Sequence, residues 1–458
     1  MYFLLLLFAF FPVHAEAIGL LPGLPGKKLP SFDQNFSCID SYKAKSYIKE
    51  YNIDVESFGG LELCDNQVET KKLFNDLKII EEGYFSGSTT NTFIRDFVKA
   101  SEYDYWMKTM TKGIRRGHDI PYATAYNRGG YFTMQNGWSK LSTLGRVGTI
   151  IHEARHTAGY GHRACNHGPY SESQLSGCDA SVEEGGSHGV EMEYYSRVVL
   201  RGQNFHPAYT SMARLMNLAR ANFVFNKYPM KQKEALLVLT DKKAVVLKDN
   251  NKRDIALSKE MLSKSNSLQL KRSSFGATLV GEKIALAFDL YSWAKNLQTD
   301  LLEDVYSYYK MLKQNRSFRI IDLEEVDFGK VRHLVALTDN NELKFYNFPK
   351  GEWFSGTSIP AKATLKTVSP EGKKGLFVVT KEGLVYPVDH ASLRLKPALP
   401  NKWPADVKTY GLWNATLLEL RKDQRMYEAK SGTPFTELNA SKKIIDFVKV
   451  PLYNAFDL

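Results

Sequence analysis

At 458 residues the chain is too long for a single ordinary core, which points to two or three domains. A hydrophobic share of 43% beside 24% charged residues excludes an intrinsically disordered protein. The formal net charge of +11 comes from scattered Lys and Arg with no dense basic run interleaved with aromatics, so no nucleic-acid partner is expected.

The apolar run from Tyr2 to Val13 is too short to span a bilayer, and His14-Ala15-Glu16-Ala17 offers small residues for cleavage. A signal peptide is therefore expected over 1–17, although its leading Lys or Arg is missing. No later segment reaches about 18 uninterrupted apolar residues, so no stable membrane insertion is expected and the mature chain is expected to be secreted or periplasmic. From Leu20 to Pro30 the composition is that of an extended leader.

Four cysteines, an even number, suit an oxidising compartment. Their order suggests local pairs, Cys38 with Cys64 and Cys165 with Cys178. The other arrangement gathers Cys165 and Cys178 with His162 or His167 around a separate zinc ion. Apolar residues at helical spacing predict helices over Ser41 to Tyr51, Glu69 to Glu82 and Phe93 to Met110. His118 has no companion at metal spacing and is expected at the surface or satisfied. Tyr131 to Gln135 alternates between glycines and predicts a strand.

The next helix is expected to begin near Ser142 or Thr143, either of which can cap it. Val147, Ile150, Ile151, Ala154 and Ala158 form its apolar stripe. His152, Glu153 and His156 occupy another face. Gly145 and Gly148 weaken the helix by about 1 kcal/mol each, which suggests close approach of a neighbouring segment. The full stretch reads His152-Glu153-Ala154-Arg155-His156-Thr157-Ala158-Gly159-Tyr160-Gly161-His162. Residues four apart share a helix face, so His152 and His156 can point at one ion. Gly159 can turn the chain back through a left-handed conformation and return His162 as a third ligand. Glu153 stands where a general base would contact a metal-bound water.

This stretch resembles the extended zinc signature HExxHxxGxxH of the metzincin metallopeptidases. The resemblance implies an α+β zincin-like metallopeptidase domain, a Zn2+ cofactor held by His152, His156 and His162, and Glu153 as general base for hydrolysis of a protein or peptide substrate. It also implies that the strand before the helix lies at a sheet edge able to bind extended peptide. An ordinary interior strand is the alternative for Tyr131 to Gln135. Should His162 not be a ligand, Glu183, Glu184, Glu191 or Glu193 would replace it, as in the gluzincins. Met192 with Tyr194 resembles the family's methionine turn and would make Tyr194 an oxyanion-stabilising or metal-proximal group. The pattern departs here, because Gly189 to Leu200 predicts a helix and Met192 then reads as a core residue. Cys165 to His188 is expected as a loop lining the cleft, and Pro207 to Phe225 as a closing helix after His206.

Beyond Tyr228-Pro229 short strands take over. Segments 236–241, 334–339, 377–381 and 417–421 echo one another at a spacing of about 40 residues, with room for one further unit near Ile284 to Leu290. This period predicts an all-β, propeller-like domain over 229–458, with five blades, after a zincin-like domain over 18–228. An irregular β-sandwich is the alternative. Tyr291 to Lys313 is expected as a helical insertion. Asn35, Asn315, Asn414 and Asn439 head glycosylation triplets. Two further functions stay open: a binding protein whose propeller carries the activity beside a structural or vestigial zinc, and a zinc amidase acting on cell-wall material. Oligomeric state is not legible.

Overall fold

The computed structural model describes residues 37–452 except 86–92, 100–101, 119, 121–123, 169, 172–175, 204, 206, 228–232, 242, 249–250, 257–268, 274–275, 281–284, 289–317, 329–330, 348–351, 415, 431–435 and 438–442. The signal peptide, the leader, His206, the insertion at 291–313 and the Asn35, Asn315 and Asn439 triplets lie outside these residues. Asn414 is exposed in a tight turn.

Capping and ion pairing set the first helices. Asp40 accepts hydrogen bonds from the backbone of Tyr42 and Lys43 and so opens α1 (Ser41–Glu50), which buries Ala44 and Tyr47. Helix α2 (Glu69–Glu82) carries a buried polar face, in which Lys71 donates to Ser37 O and to Asn75. Only Tyr103–Met110 of the third predicted helix is helical, as α3. Residues 95–98 are instead a loop held by Glu193, whose carboxylate accepts from the backbone N–H groups of Arg95, Phe97 and Val98. A distant carboxylate outcompetes local helix formation there.

A three-stranded sheet follows, made of β1 (Gly113–Arg116), β2 (Ala125–Arg128) and β3 (Tyr131–Met134) in the order β1-β3-β2. The predicted strand is β3, and it lies inside, parallel to β1 and antiparallel to β2. This corrects the edge placement implied by the resemblance. Among the described residues the edge beside the next helix is β2. Asn127 on β2 donates to Glu153 O and Thr157 Oγ1 of that helix.

Helix α4 (Thr143–Thr157) is capped by Ser142, whose Oγ accepts from Gly145 N at 3.1 Å. Val147, Ile150, Ile151 and Ala154 are fully buried. Ala158 departs from the expected stripe and is exposed, because the helix ends at Thr157 and Gly159 reverses the chain at φ +89°. The hairpin of β4 (Arg163–Ala164) and β5 (Ser176–Cys178) follows, then α5 (Ser187–Arg201) and α6 (Pro207–Phe223). The cysteines pair as Cys38–Cys64 and Cys165–Cys178, which removes the latter two as metal ligands.

Among the described residues the remaining chain forms five antiparallel sheets. The first holds β6 (Lys233–Thr240), β7 (Lys243–Lys248) and β8 (Asn251–Ala256), and the second β9 (Gln269–Ser273), β10 (Gly276–Val280) and β11 (Ala285–Phe288). The third holds β12 (Ile320–Phe328), β13 (Val331–Thr338), β14 (Glu342–Asn347) and β15 (Glu352–Ser358). The fourth holds β16 (Ala363–Val368), β17 (Lys374–Thr380) and β18 (Val385–Pro387). The fifth holds β19 (Val407–Trp413), β20 (Thr416–Arg421), β21 (Met426–Ala429) and β22 (Thr436–Glu437). The last strand, β23 (Ile444–Leu452), returns to pair antiparallel with β6 and completes the first sheet.

The innermost strands touch in the order β23, β9, β12, β16, β19 and back to β23, so the sheets close into a five-bladed, propeller-like ring. The echoed segments are the second strands of four blades. Their threonine recurs for a local reason: Thr240, Thr338 and Thr380 accept the backbone N–H of Lys243, Glu342 and Leu384 across the following turn. The further unit expected near Ile284 to Leu290 is the second blade, whose outer strand β11 falls there and whose second strand is β10. A second repeat escaped the sequence reading. Ile320-Ile321-Asp322 and Ile444-Ile445-Asp446 each form a bulge in an inner strand. Their aspartates accept from Leu365 N and Leu270 N of the adjacent blades at 2.8 and 2.9 Å, locking neighbours together. One apolar core runs from the helices into the first three blades, and Gly168 bridges to Val331. Among the described residues no helix is long and apolar enough to cross a membrane.

Candidate metal centre

His152 and His156 stand one turn apart on one face of α4, with ring centroids 4.9 Å apart. The Gly159 turn brings His162 back to 5.0 Å from the first ring and 4.7 Å from the second. The three offer ring nitrogens to a common point and form a group able to hold a metal ion. His152 Nε2 and His162 Nε2 are 3.0 Å apart. Two imidazoles bound to zinc at 2.0–2.1 Å with a tetrahedral angle hold their nitrogens about 3.3 Å apart, so the spacing fits with a small expansion.

Each outward nitrogen has an acceptor behind it. His162 Nδ1 lies 3.1 Å from Asp179 Oδ1, and His156 Nδ1 faces Tyr160 O and Ser187 Oγ. His152 Nδ1 stands 3.5 Å from Glu191 Oε2. Such acceptors fix the tautomer that leaves Nε2 unprotonated toward the metal. Asp179 does more, since its Oδ2 accepts from the backbone of His188 and Gly189 and thereby caps α5. It immediately follows Cys178, so the disulfide braces the segment that orients His162.

Burial tunes these groups toward metal binding. It lowers His152 well below the usual histidine range, with His188 adding to the effect. Burial and the neighbouring His162 push His156 down to about 3. Neutral imidazole is the ligating form. Burial works against Asp179 and Glu191 as anions, yet the hydrogen bond from His162 holds Asp179 below the carboxylate range and Arg220 holds Glu191 well below it.

Glu153 is fully buried, and neither carboxylate oxygen has a hydrogen-bond partner. Burial, with Glu191 nearby, raises its pKa well above the usual range. His156 Nε2 is also buried without a partner. An isolated buried carboxyl group and an isolated imidazole nitrogen are both costly. A cation held by the three histidines would satisfy the nitrogen and favour the Glu153 carboxylate, so the residues present fit a bound zinc.

The other sequence candidates are spread out. Glu183 and Glu184 pair with Arg95 and Arg163 toward the surface, and Glu193 secures the 95–98 loop. Glu191 reaches the histidines from behind, through His152 Nδ1. Tyr194 is not metal-proximal. Its ring packs against Tyr103 at 5.1 Å and Phe85 at 5.6 Å, and helix α5 stands where the family pattern would have a turn. Met192 is a core residue. His118 is exposed and bonded to Asn136, while His167 bonds to Phe225 O.

His188 is the group the sequence reading missed. Its ring lies 4.4 Å from that of His152 and stacks on His162 at 4.7 Å. Its three-residue spacing from Glu191 on one helix was the available signal. Gly148 explains the weakened helix. A Cβ there would stand 1.9 Å from Tyr195 Oη and 2.8 Å from Glu191 Oε1. Gly148→Ala is therefore expected to destabilise the chain by about 1–3 kcal/mol, read as a lower denaturation midpoint.

No family model matches this chain, and no curated protein matches it. Among solved structures it is similar to apo AztD from Citrobacter koseri, at 10% identity and a TM-score of 0.22, over 48% of this chain and 60% of that one. BamB from Moraxella catarrhalis is matched at 10% identity and TM-score 0.21, over 47% and 69%. YCF48 bound to D1 peptide is matched at 11% identity and TM-score 0.27, over 45% and 78%. The chain thus spans about six-tenths of the length of AztD.

Proposed function

We propose that this chain is an exported zinc-dependent metallopeptidase of the metzincin type, with a zincin-like helical half carrying the chemistry. The carrying observation is the Glu153 carboxylate, fully buried and unpartnered, between two histidines in sequence that converge with a third into a group able to hold a metal ion. When bound, zinc supplies Lewis acidity that activates a water near neutral pH and polarises the scissile carbonyl. His152, His156 and His162 would hold the ion, each oriented by its acceptor. Glu153 accepts the proton of the attacking water and returns it to the leaving amine. The propeller-like ring would recruit or orient a macromolecular substrate. Export is supported by the two disulfides and the apolar N-terminal run.

The test is metal analysis of the purified chain followed by a screen of fluorogenic peptides and peptidoglycan fragments. Peptide cleavage that a chelator abolishes and zinc restores is the expected result. Cleavage of cell-wall amides alone would turn the reading into an amidase, with the same residues in the same roles. A chain that binds one zinc and cleaves nothing sinks the hydrolase. His188 favours that second reading, a binding protein with a structural metal, because with His152 and Glu191, or with His162 and Asp179, it forms further buried groups able to hold an ion.

A further inference from the structure

Behind His152 lies a buried network that draws on three helices. Glu191 of α5 uses its two oxygens differently. Oε1 accepts from Tyr195 Oη at 2.9 Å and pairs with Arg220 of α6, while Oε2 faces His152 Nδ1 and His188 Nδ1, each at 3.5 Å. The Tyr195 hydroxyl also reaches Leu144 O of α4 at 3.2 Å. Glu191, Tyr195 and Arg220 are all buried, and the contact passes over Gly148, where a side chain would collide with Tyr195 and Glu191.

We propose that Glu191, clamped by Arg220 and Tyr195 through the gap at Gly148, is the positioning residue that sets the metal-binding tautomer of His152. Arg220, remote in sequence and not a ligand, thereby becomes a determinant of zinc affinity. The inference rests on the metal-site reading above. Its logic is one of donors and acceptors. Arg220 is a donor only, so whatever occupies the Oε1 position must accept, while the single Tyr195 hydrogen has Oε1 and Leu144 O within reach. Oε2 is then the acceptor left for His152 Nδ1–H, which keeps Nε2 free to ligate.

Glu191→Gln makes this testable because glutamine has one acceptor and one donor end. Arg220 and Tyr195 hold the amide oxygen on their side, which turns the NH2 toward His152 Nδ1. His152 then accepts at Nδ1 and carries its proton on Nε2, the wrong tautomer for ligation. Zinc affinity, measured by competition with a chromophoric chelator, is expected to fall about 10–100-fold while far-ultraviolet circular dichroism is unchanged. Adding Arg220→Met frees the amide to rotate and offer its oxygen to His152, so E191Q/R220M is expected to regain part of the lost affinity. A purely structural role for Glu191 would produce no such recovery.

Wild-type affinity in E191Q, or no recovery in the double variant, overturns the proposal. Should E191Q fail to fold, Tyr195→Phe removes one donor and leaves the ion pair. A several-fold loss of zinc affinity with an altered visible spectrum of the cobalt-substituted protein supports the clamp, and an unchanged affinity and spectrum overturns it. These readouts need no turnover. A wild-type chain that binds zinc but cleaves nothing sinks the hydrolase and leaves this proposal standing, whereas one that binds no zinc removes both.

Discussion

Glu153→Gln is expected to keep one zinc per chain and to lose about 10²–10⁴-fold in turnover, the usual worth of a general base. The substitution is isosteric, and the carboxylate has no hydrogen-bond partner to lose. The ligands are untouched: His152, His156 and His162 keep their acceptors in Glu191, Tyr160 with Ser187, and Asp179. Removing a buried carboxyl group whose pKa burial already raises should leave the fold intact. Turnover against zinc content therefore separates the chemistry from the metal. Unchanged turnover would exclude Glu153 as the base and, with it, the proposed mechanism.

Asp76→Ala is expected to produce the largest loss of stability, about 3–5 kcal/mol, because it leaves an uncompensated charge in the interior. Asp76 on α2 accepts from Arg146 Nε at 2.8 Å and from a terminal guanidinium nitrogen at 2.9 Å, and both side chains are buried. Arg146 also donates to Leu141 O and lies over the Trp138 ring, so the pair seats the first turn of α4 against α2. About 1.7 turns further along, the same helix carries His152. Replacing both partners, as in D76A/R146M, is expected to recover much of the loss, since the unpaired charge goes with its partner. Denaturant midpoints of the full chain read both effects. A single variant as stable as wild type would show that the pair does not hold α4 in place.

Much of the candidate site can be read along the chain because its three ligands lie within one helix and one turn. The four-residue spacing of His152 and His156 and the left-handed Gly159 are local facts, and the structure keeps them. The cysteine pairs likewise join residues close in sequence, where short loops favour nearest partners. The propeller-like half announces itself through a turn threonine that acts within four residues of its own position. These features need no knowledge of what packs against what.

The remaining features depend on packing. Whether β3 lies inside or at an edge is decided by β1, which pairs along its other side. Tyr194 faces Phe85 and Tyr103 rather than the histidines because the rotation of α5 is set by Glu191 and His188, which point to the site. The carboxylates behind the ligands, Asp179 and Glu191, and the guanidinium of Arg220 arrive from separate elements, and no periodicity relates them to the HExxH helix. Local spacing thus marked a three-histidine group able to hold a metal ion and a repeating β half. The tertiary structure alone chose the groups that orient each imidazole, because donor and acceptor pairing across helices follows from burial and not from distance along the chain.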